Sequence, residues 1–218
     1  MADAHAHAHA ERDRAFHNEH AHEYNQKHAS GIQLLTEEIR SRIDWIGLPK
    51  KDQARMLDYA CGTGLVSNAL GPYVSQIVGI DLSENMVAEY NKNSNSAQYA
   101  RQAYAGNLAG AEDSPAAFAT PEFFDFDLVA IGLGFHHFSD PTLAATRLAA
   151  RLKIGGKFLI IDNVSDDNGF SRESAEKLFR DAGVAGDFDF SVIDRDLQIG
   201  RGPAAWKQKV FIARGSKT

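Results

Sequence analysis

The chain has one cysteine, Cys61, in 218 residues. An internal disulfide is therefore excluded, and a zinc site built on several thiolates is not expected. A lone thiol suits a reducing, cytoplasmic compartment. No apolar run approaches the roughly 18 residues a transmembrane helix needs. The His- and Ala-rich start lacks the apolar centre of a secretory signal. No membrane is expected as a partner. Basic residues are in the minority: 23 Lys and Arg against 29 Asp and Glu leave a net charge of −6. Phosphate contacts need a basic surface, so nucleic acid is not expected as a partner either. What is present is 44% hydrophobic residues, enough for a packed core in one α/β domain of this length.

A further absence narrows the ligand. Met56-Leu57-Asp58-Tyr59-Ala60-Cys61-Gly62-Thr63-Gly64 is an apolar run ending in an acid, then a glycine turn. A helical stretch, Leu65 to Leu70, leads to a second apolar run, Ile77-Val78-Gly79-Ile80, ending in Asp81. That order reads strand, tight loop, helix, strand, acid. Asp81 stands 19 positions after Gly62, close to the roughly 20 between a glycine turn and a ribose-binding acid. A dinucleotide loop would carry a third glycine, and a phosphate-cradling loop would carry a Lys followed by Ser or Thr. Neither is here. Asp58, just before the turn, would repel a phosphate and suits an ammonium. A ligand that combines ribose, adenine and an amino-acid ammonium is S-adenosylmethionine (SAM).

Leu57 to Gly64 and Val78-Gly79-Ile80-Asp81-Leu82-Ser83-Glu84-Asn85-Met86 closely resemble motifs I and II of the class I SAM-dependent methyltransferases. The likeness is to the small-molecule branch that includes the quinone-biosynthesis type, and it covers roughly Arg55 to Arg214. It implies an α/β three-layer Rossmann-like sandwich. Its sheet would hold seven mostly parallel strands in the order 3-2-1-4-5-7-6, the last antiparallel.

The residue patterns agree. Strands are expected at Arg55–Tyr59, Gln76–Ile80, weakly at Ala97–Gln102, then at Phe126–Ile131, Lys157–Asp162, Phe188–Ile193 and Trp206–Ala213. Helices are expected after the glycine turn, from the Ser83 cap, from Asp140-Pro141 to about Leu152, and over Ser171–Ala182 with Gly183 as stop. Gly155-Gly156 reads as a turn and residues 106–122 as a loop. Ile32, Leu35, Ile39, Ile43 and Ile46 recur at helical spacing and end at Gly47-Leu48-Pro49. The expected organisation is a disordered tail over 1–15, a helical lid over 16–50 and the SAM-binding domain over 51–218.

The resemblance also implies roles. Asp58 would reach the methionyl ammonium, Gly62 and Gly64 would let the backbone pass beneath the ligand, and Asp81 would bind the ribose hydroxyls. Leu82 and Met86 would flank adenine, with core packing the competing role. Asn107, followed by Leu108, falls where the family usually has an Asp bonding the adenine amine. His20-Ala21-His22-Glu23-Tyr24-Asn25 resembles the family's N-terminal lid, placing Tyr24 on SAM and His20 on the substrate side. Gly132-Leu133-Gly134-Phe135-His136-His137-Phe138 follows the fourth strand, where open α/β sheets place ligands. His136 is the candidate to face the substrate as a general base, and His137 the candidate to orient the loop.

Seven of the nine histidines lie in the first 28 residues: His5, His7, His9, His17, His20, His22 and His28. An extended His-Ala alternation could hold a metal, since i and i+2 share a face. A tag or a natural tail is the plainer reading, and no metal is expected in the reaction.

Methyl transfer from a sulfonium relies on positioning and exclusion of water, and needs a base only if the nucleophile arrives protonated. The acceptor is expected to be a compact small molecule, through oxygen first and nitrogen next. Its pocket would be built from the N-terminal helices, the loop after the fourth strand and the short Asn163–Phe170 stretch, with a homodimer partner left open. The alternatives are a protein methyltransferase, or a SAM-fold binding protein or cyclase that transfers no methyl group.

Overall fold

The computed structural model describes residues 2–50, 53–94, 99–110, 116–164, 170–199 and 206–218. Three helices come first: α1 (Ala2–Lys27), α2 (Ala29–Ser41) and α3 (Ile43–Ile46). Then follow β1 (Arg55–Tyr59), α4 (Leu65–Leu70), β2 (Gln76–Asp81), α5 (Glu84–Lys92), β3 (Ala100–Ala105), β4 (Phe126–Gly132), α6 (Pro141–Ala149), β5 (Leu152–Asn163), α7 (Arg172–Asp181), β6 (Gly186–Val192), β7 (Leu197–Ile199), β8 (Trp206–Gln208) and β9 (Val210–Ser216). No described helix is long and apolar enough to cross a membrane.

Seven strands form one sheet in the order β3-β2-β1-β4-β5-β9-β6. The pairs from β3 to β5 are parallel, and β9 runs antiparallel to both of its neighbours. With β9 as the seventh strand of the sheet, this is the expected order. Alternate residues of each strand feed opposite faces. Leu57, Val129, Ile131, Phe158, Ile160 and Phe211 pack with α6 and α7 through Leu148, Leu178 and Phe179. Met56, Leu128, Ala130, Leu159, Ile161 and Ile212 pack on the other face with Leu35, Ile39 and Ile46 of α2 and α3, and with Val66 and Leu70 of α4. The apolar stripe read in the sequence thus finds its surface on the sheet itself. Gly47, at φ +72°, closes α3 in the left-handed conformation.

Some boundaries differ. The expected strand Trp206–Ala213 divides: β8 pairs with β7 in a separate hairpin, and β9 enters the main sheet as far as Ser216. Gly155-Gly156 is not a turn before a strand but lies inside β5, where the Gly155 N–H donates to Lys217 O and Lys217 N–H to Gly156 O. The edge strand β3 runs Ala100–Ala105, later than the expected 97–102. Residues 95–98 fall outside the described residues, as do Gly200, Gly202 and Pro203 of the expected connecting loop. So does most of the stretch expected to border the acceptor, residues 165–169. At the start, one helix spans the expected boundary between residues 15 and 16. Its many alanines favour helix locally. The side chains of residues 1–7 and 9 lie outside the described residues, and with them the His5, His7 and His9 alternation.

The strand order reverses between β1 and β4. In open α/β sheets the ligand crevice lies at the carboxyl ends of the strands at such a reversal, and α1 crosses there, bonded to Thr63 and Ser83.

Candidate functional site

The first wall of the crevice is the glycine turn. Gly62 and Gly64 take φ of +50° and +100°, and Ala60 joins them at +53°. A Cβ at Gly62 would meet nothing within 4 Å, so this turn borders open space. The Asp58 side chain lies beneath it, 1% exposed. Asp58 Oδ2 accepts from the Ser67 N–H at 3.0 Å and from its hydroxyl at 2.6 Å, which pins the start of α4. Burial pushes the Asp58 pKa up to about 7, against the pull of those two bonds. Asp81, at the tip of β2, accepts from the Gly62 N–H at 2.7 Å and the Ser83 N–H at 2.9 Å. Burial raises its pKa as well, and the nearby charge of His17 opposes the rise.

Two carboxylates, Asp58 buried and Asp81 half-buried, thus share this wall, and neither forms an ion pair among the described residues. Such a wall repels phosphate. It fits a ligand that brings an ammonium and hydroxyl donors, which is the chemistry of SAM.

Ser83 caps α5, its hydroxyl accepting from the Met86 N–H at 3.1 Å. Met86 is buried and Leu82 partly exposed. Asn107 has a different occupation from the expected one. Its Oδ1 accepts from the Tyr59 hydroxyl at 3.2 Å and the Ala109 N–H at 2.9 Å. The same hydroxyl accepts from the N–H groups of Leu108 and Ala109, each at 3.0 Å, and the Leu108 side chain is wholly buried in the core. Asn107 and Leu108 therefore brace the loop after β3. With both lone pairs of Oδ1 engaged, an adenine amine would have to displace one of these bonds.

The opposite wall comes from β4 and β5. His136 and His137 sit in a short 3-10 turn after β4, entered through Leu133 at φ +57°. Asp162, at the end of β5 and wholly buried, holds that turn. One oxygen accepts from the N–H groups of Phe135 and His136 at 2.9 and 3.1 Å. The other meets His136 Nδ1 at 2.6 Å. Burial pulls the His136 pKa down, but the bond and charge of Asp162 leave it raised above the ordinary value. The His137 ring lies 4.1 Å from that of His136. Burial and the charge of His136 hold the His137 pKa low. Asp162 was not among the residues singled out from the sequence. The available signal was an acid ending the buried run Phe158-Leu159-Ile160-Ile161, the same pattern that marked Asp58 and Asp81.

Helix α1 forms the roof and touches all three segments. The Thr63 hydroxyl donates to Asn25 Oδ1 at 2.5 Å, on the glycine turn. Asn18 Oδ1 accepts from the Ser83 hydroxyl at 2.6 Å and the Asn85 N–H at 3.1 Å. Asn18 Nδ2 donates to Glu84, which also pairs with Arg14 at 2.7 Å. Asp13 lies 3.5 Å from His137 Nδ1, and the His17 ring stands edge-on to His137 at 6.1 Å. Burial, with the charge of Asp81, raises the Tyr24 pKa. His20 turns along its own helix: Nδ1 lies 2.8 Å from the Phe16 carbonyl one turn back. His17, rather than His20, is the α1 histidine that meets the β4 turn. Among the described residues no three ligating side chains come together as a metal site.

A methyltransferase domain matches residues 57–160, the span from β1 into β5 that holds Asp58, Asp81, His136 and His137 and stops just short of Asp162. An uncharacterized methyltransferase of Schizosaccharomyces pombe is 29% identical over 156 residues, covering 62% of this chain and 55% of that protein. The chain spans about half the length of the curated relatives it matches. The crystal structure of YcgJ from Bacillus subtilis shares the fold, with a TM-score of 0.63 at 18% identity over 87% of this chain and 99% of that one. So does phosphoethanolamine N-methyltransferase 2 of Haemonchus contortus, solved in complex with SAM, with a TM-score of 0.61 at 16% identity over 83% of this chain and 52% of that one. Identities this low speak for the fold alone. The motifs in β1 and β2, the sheet order and the matched domain converge: over residues 57–160 the chain carries a methyltransferase domain, set in the fold of the class I SAM-dependent methyltransferases.

Proposed function

We propose that the chain transfers a methyl group from SAM to a compact small molecule, through oxygen first and nitrogen next. SAM supplies a methyl group already activated by its sulfonium. On the chain's side, Asp58 would take the ligand's ammonium and Asp81 its ribose hydroxyls. Gly62 leaves room for it while Gly64 lets the turn pack on the Tyr90 ring, Leu82 and Met86 would border its base, and Tyr24 would cover it. Asn107 and Leu108 keep the loop beside it in place.

The observation that carries the choice of oxygen is the Asp162–His136 pair. Bonded to a carboxylate, Nδ1 carries the proton, and Nε2 is left as the base. A hydroxyl must lose its proton as it is methylated, and a base at the carboxyl ends of β4 and β5 suits that need. Asp162 fixes the tautomer and stabilises the imidazolium that forms.

The test is turnover of labelled SAM with a panel of phenols, carboxylic acids, amines and thiols, using wild type and Asp162→Asn. With the accepted hydroxyl compound, Asp162→Asn should lower kcat on the order of 100- to 10,000-fold while affinity for S-adenosylhomocysteine stays at the wild-type level. Undiminished turnover in the variant would remove the base from the mechanism. Transfer confined to thiols or to a protein would remove the acceptor class.

A further inference from the structure

We propose that Asp13 is a positioning residue for the proton-accepting histidines, so that His136 reaches its working state only when α1 is seated. This rests on the reading of His136 as the base.

The geometry is a row of four groups crossing from the sheet to the roof. Asp162 on β5 meets His136 Nδ1 at 2.6 Å. The rings of His136 and His137 lie 4.1 Å apart, tilted by 38°. His137 Nδ1 lies 3.5 Å from Asp13 on α1. The two ends of the row are held differently. Asp162 is wholly buried and tied to the backbone of the β4 turn. Asp13 depends on α1, which Arg14 and Asn18 fasten to the start of α5.

The charged and titratable groups facing His136 are Asp162, His137 and Asp13. Those facing His137 are His136, Asp13, His17 and Asp162. Two imidazoles in ring contact resist being cations together, so they bind one proton readily and a second reluctantly, as a coupled pair. A carboxylate at each end stabilises the charge that appears when His136 takes a proton. Asp162 is always there. Asp13 arrives only with the helix that also covers the crevice. Proton acceptance is thereby strongest when water is excluded.

Histidine ring titration by NMR on the full chain tests this without an acceptor. Asp13→Asn should lower the midpoint of His137 by at least about half a pH unit and move His136 in the same direction by less. Asp13→Glu should return both toward wild type. A residue that served only to hold the helix would leave the midpoints where they are. Asp162→Asn is the control, and should lower the His136 midpoint most. If Asp13→Asn leaves both rings at their wild-type midpoints while Asp162→Asn moves His136, the role given to Asp13 is wrong and the base reading stands. If Asp162→Asn also leaves His136 unmoved, the base reading fails with it.

Discussion

On the β1–β2 side of the crevice the chemistry is packed into two short segments, Asp58 to Gly64 and Asp81 to Met86. On the β4–β5 side His136 depends on Asp162 from the next strand, and His137 meets Asp13 from the first helix of the chain. The cofactor wall is therefore mostly local in sequence and the acceptor wall is assembled by the fold. A backbone loop and two acids can be arranged by a strand-turn-helix unit alone. A base needs an orienting carboxylate at a bonding distance, and here only neighbouring parallel strands bring one.

The largest effect that tests the cofactor side is loss of Asp81. Its carboxylate is the charged acceptor proposed for the ribose, and it also takes the N–H groups of Gly62 and Ser83. Charge-assisted bonds are worth roughly 1.5–3 kcal/mol, so Asp81→Ala should weaken S-adenosylhomocysteine by about 10- to 150-fold. Calorimetry checks this. Equal affinity in the variant would break the proposed division of the crevice, because the β2 acid would then have no part in the cofactor wall.

What the sequence made legible follows the same division. The glycine turn, both acids and the Ser83 cap could be read because each acts within a few residues of its neighbours in the chain. The sheet order came with the resemblance, and the buried strands β1, β2 and β4 showed as mostly apolar runs, β4 broken only by Asp127. Asp162 was passed over because its meaning lies in His136, 26 positions away. Asp13 and His17 were passed over because helical spacing says nothing about which strand end a helix will cross. The bonds of Asn107 were not legible for a similar reason: the Tyr59 hydroxyl reaches its oxygen from another strand. The β8–β9 division escaped because Trp206–Gln208 and the apolar run from Val210 both read as strand, and pairing partners are chosen in three dimensions.

Asp58 gives a sharper but smaller test, since it separates ligand binding from fold stability. Burial lifts its pKa to about 7, above an unfolded value near 3.9. Between those values the folded chain keeps a proton that the unfolded chain releases. Stability from this group therefore falls as pH rises through that window, and the full cost is present above it. Asp58→Asn removes the titration and keeps an oxygen for the Ser67 bonds. Thermal melts of the ligand-free chain should show the variant roughly 5 °C more stable at about pH 8, with the gain shrinking away toward about pH 4. Affinity for S-adenosylhomocysteine should fall on the order of tenfold. A variant that gains no stability above neutral pH, or that loses no affinity, would strip Asp58 of its ammonium-binding role.

The smallest expected effect concerns the helix that belongs to both walls. Asn18 joins α1 to α5 through the Ser83 hydroxyl at 2.6 Å, the Asn85 N–H at 3.1 Å and Glu84 at 3.0 Å. Its backbone carbonyl takes a fourth bond, from Asn85 Nδ2 at 2.9 Å, which a side-chain change leaves intact. Neutral bonds of this kind contribute about 0.5–1.5 kcal/mol each, and water can replace those at the exposed edge. Asn18→Ala should therefore loosen α1 without unfolding the domain, whose core lies in the sheet. Hydrogen exchange over α1 should quicken several-fold while exchange in β1, β4 and β5 stays at wild-type rates. Affinity for S-adenosylhomocysteine should fall only about two- to fivefold, because Asp58, Asp81 and the glycine turn stay in place. Unchanged exchange over α1 would mean that Arg14, Asn25 and Asp13 hold the roof without Asn18. Loosening that spread into β4 and β5 would mean that the roof and the sheet open as one unit, and the contrast between a local cofactor wall and an assembled acceptor wall would not extend to their stability.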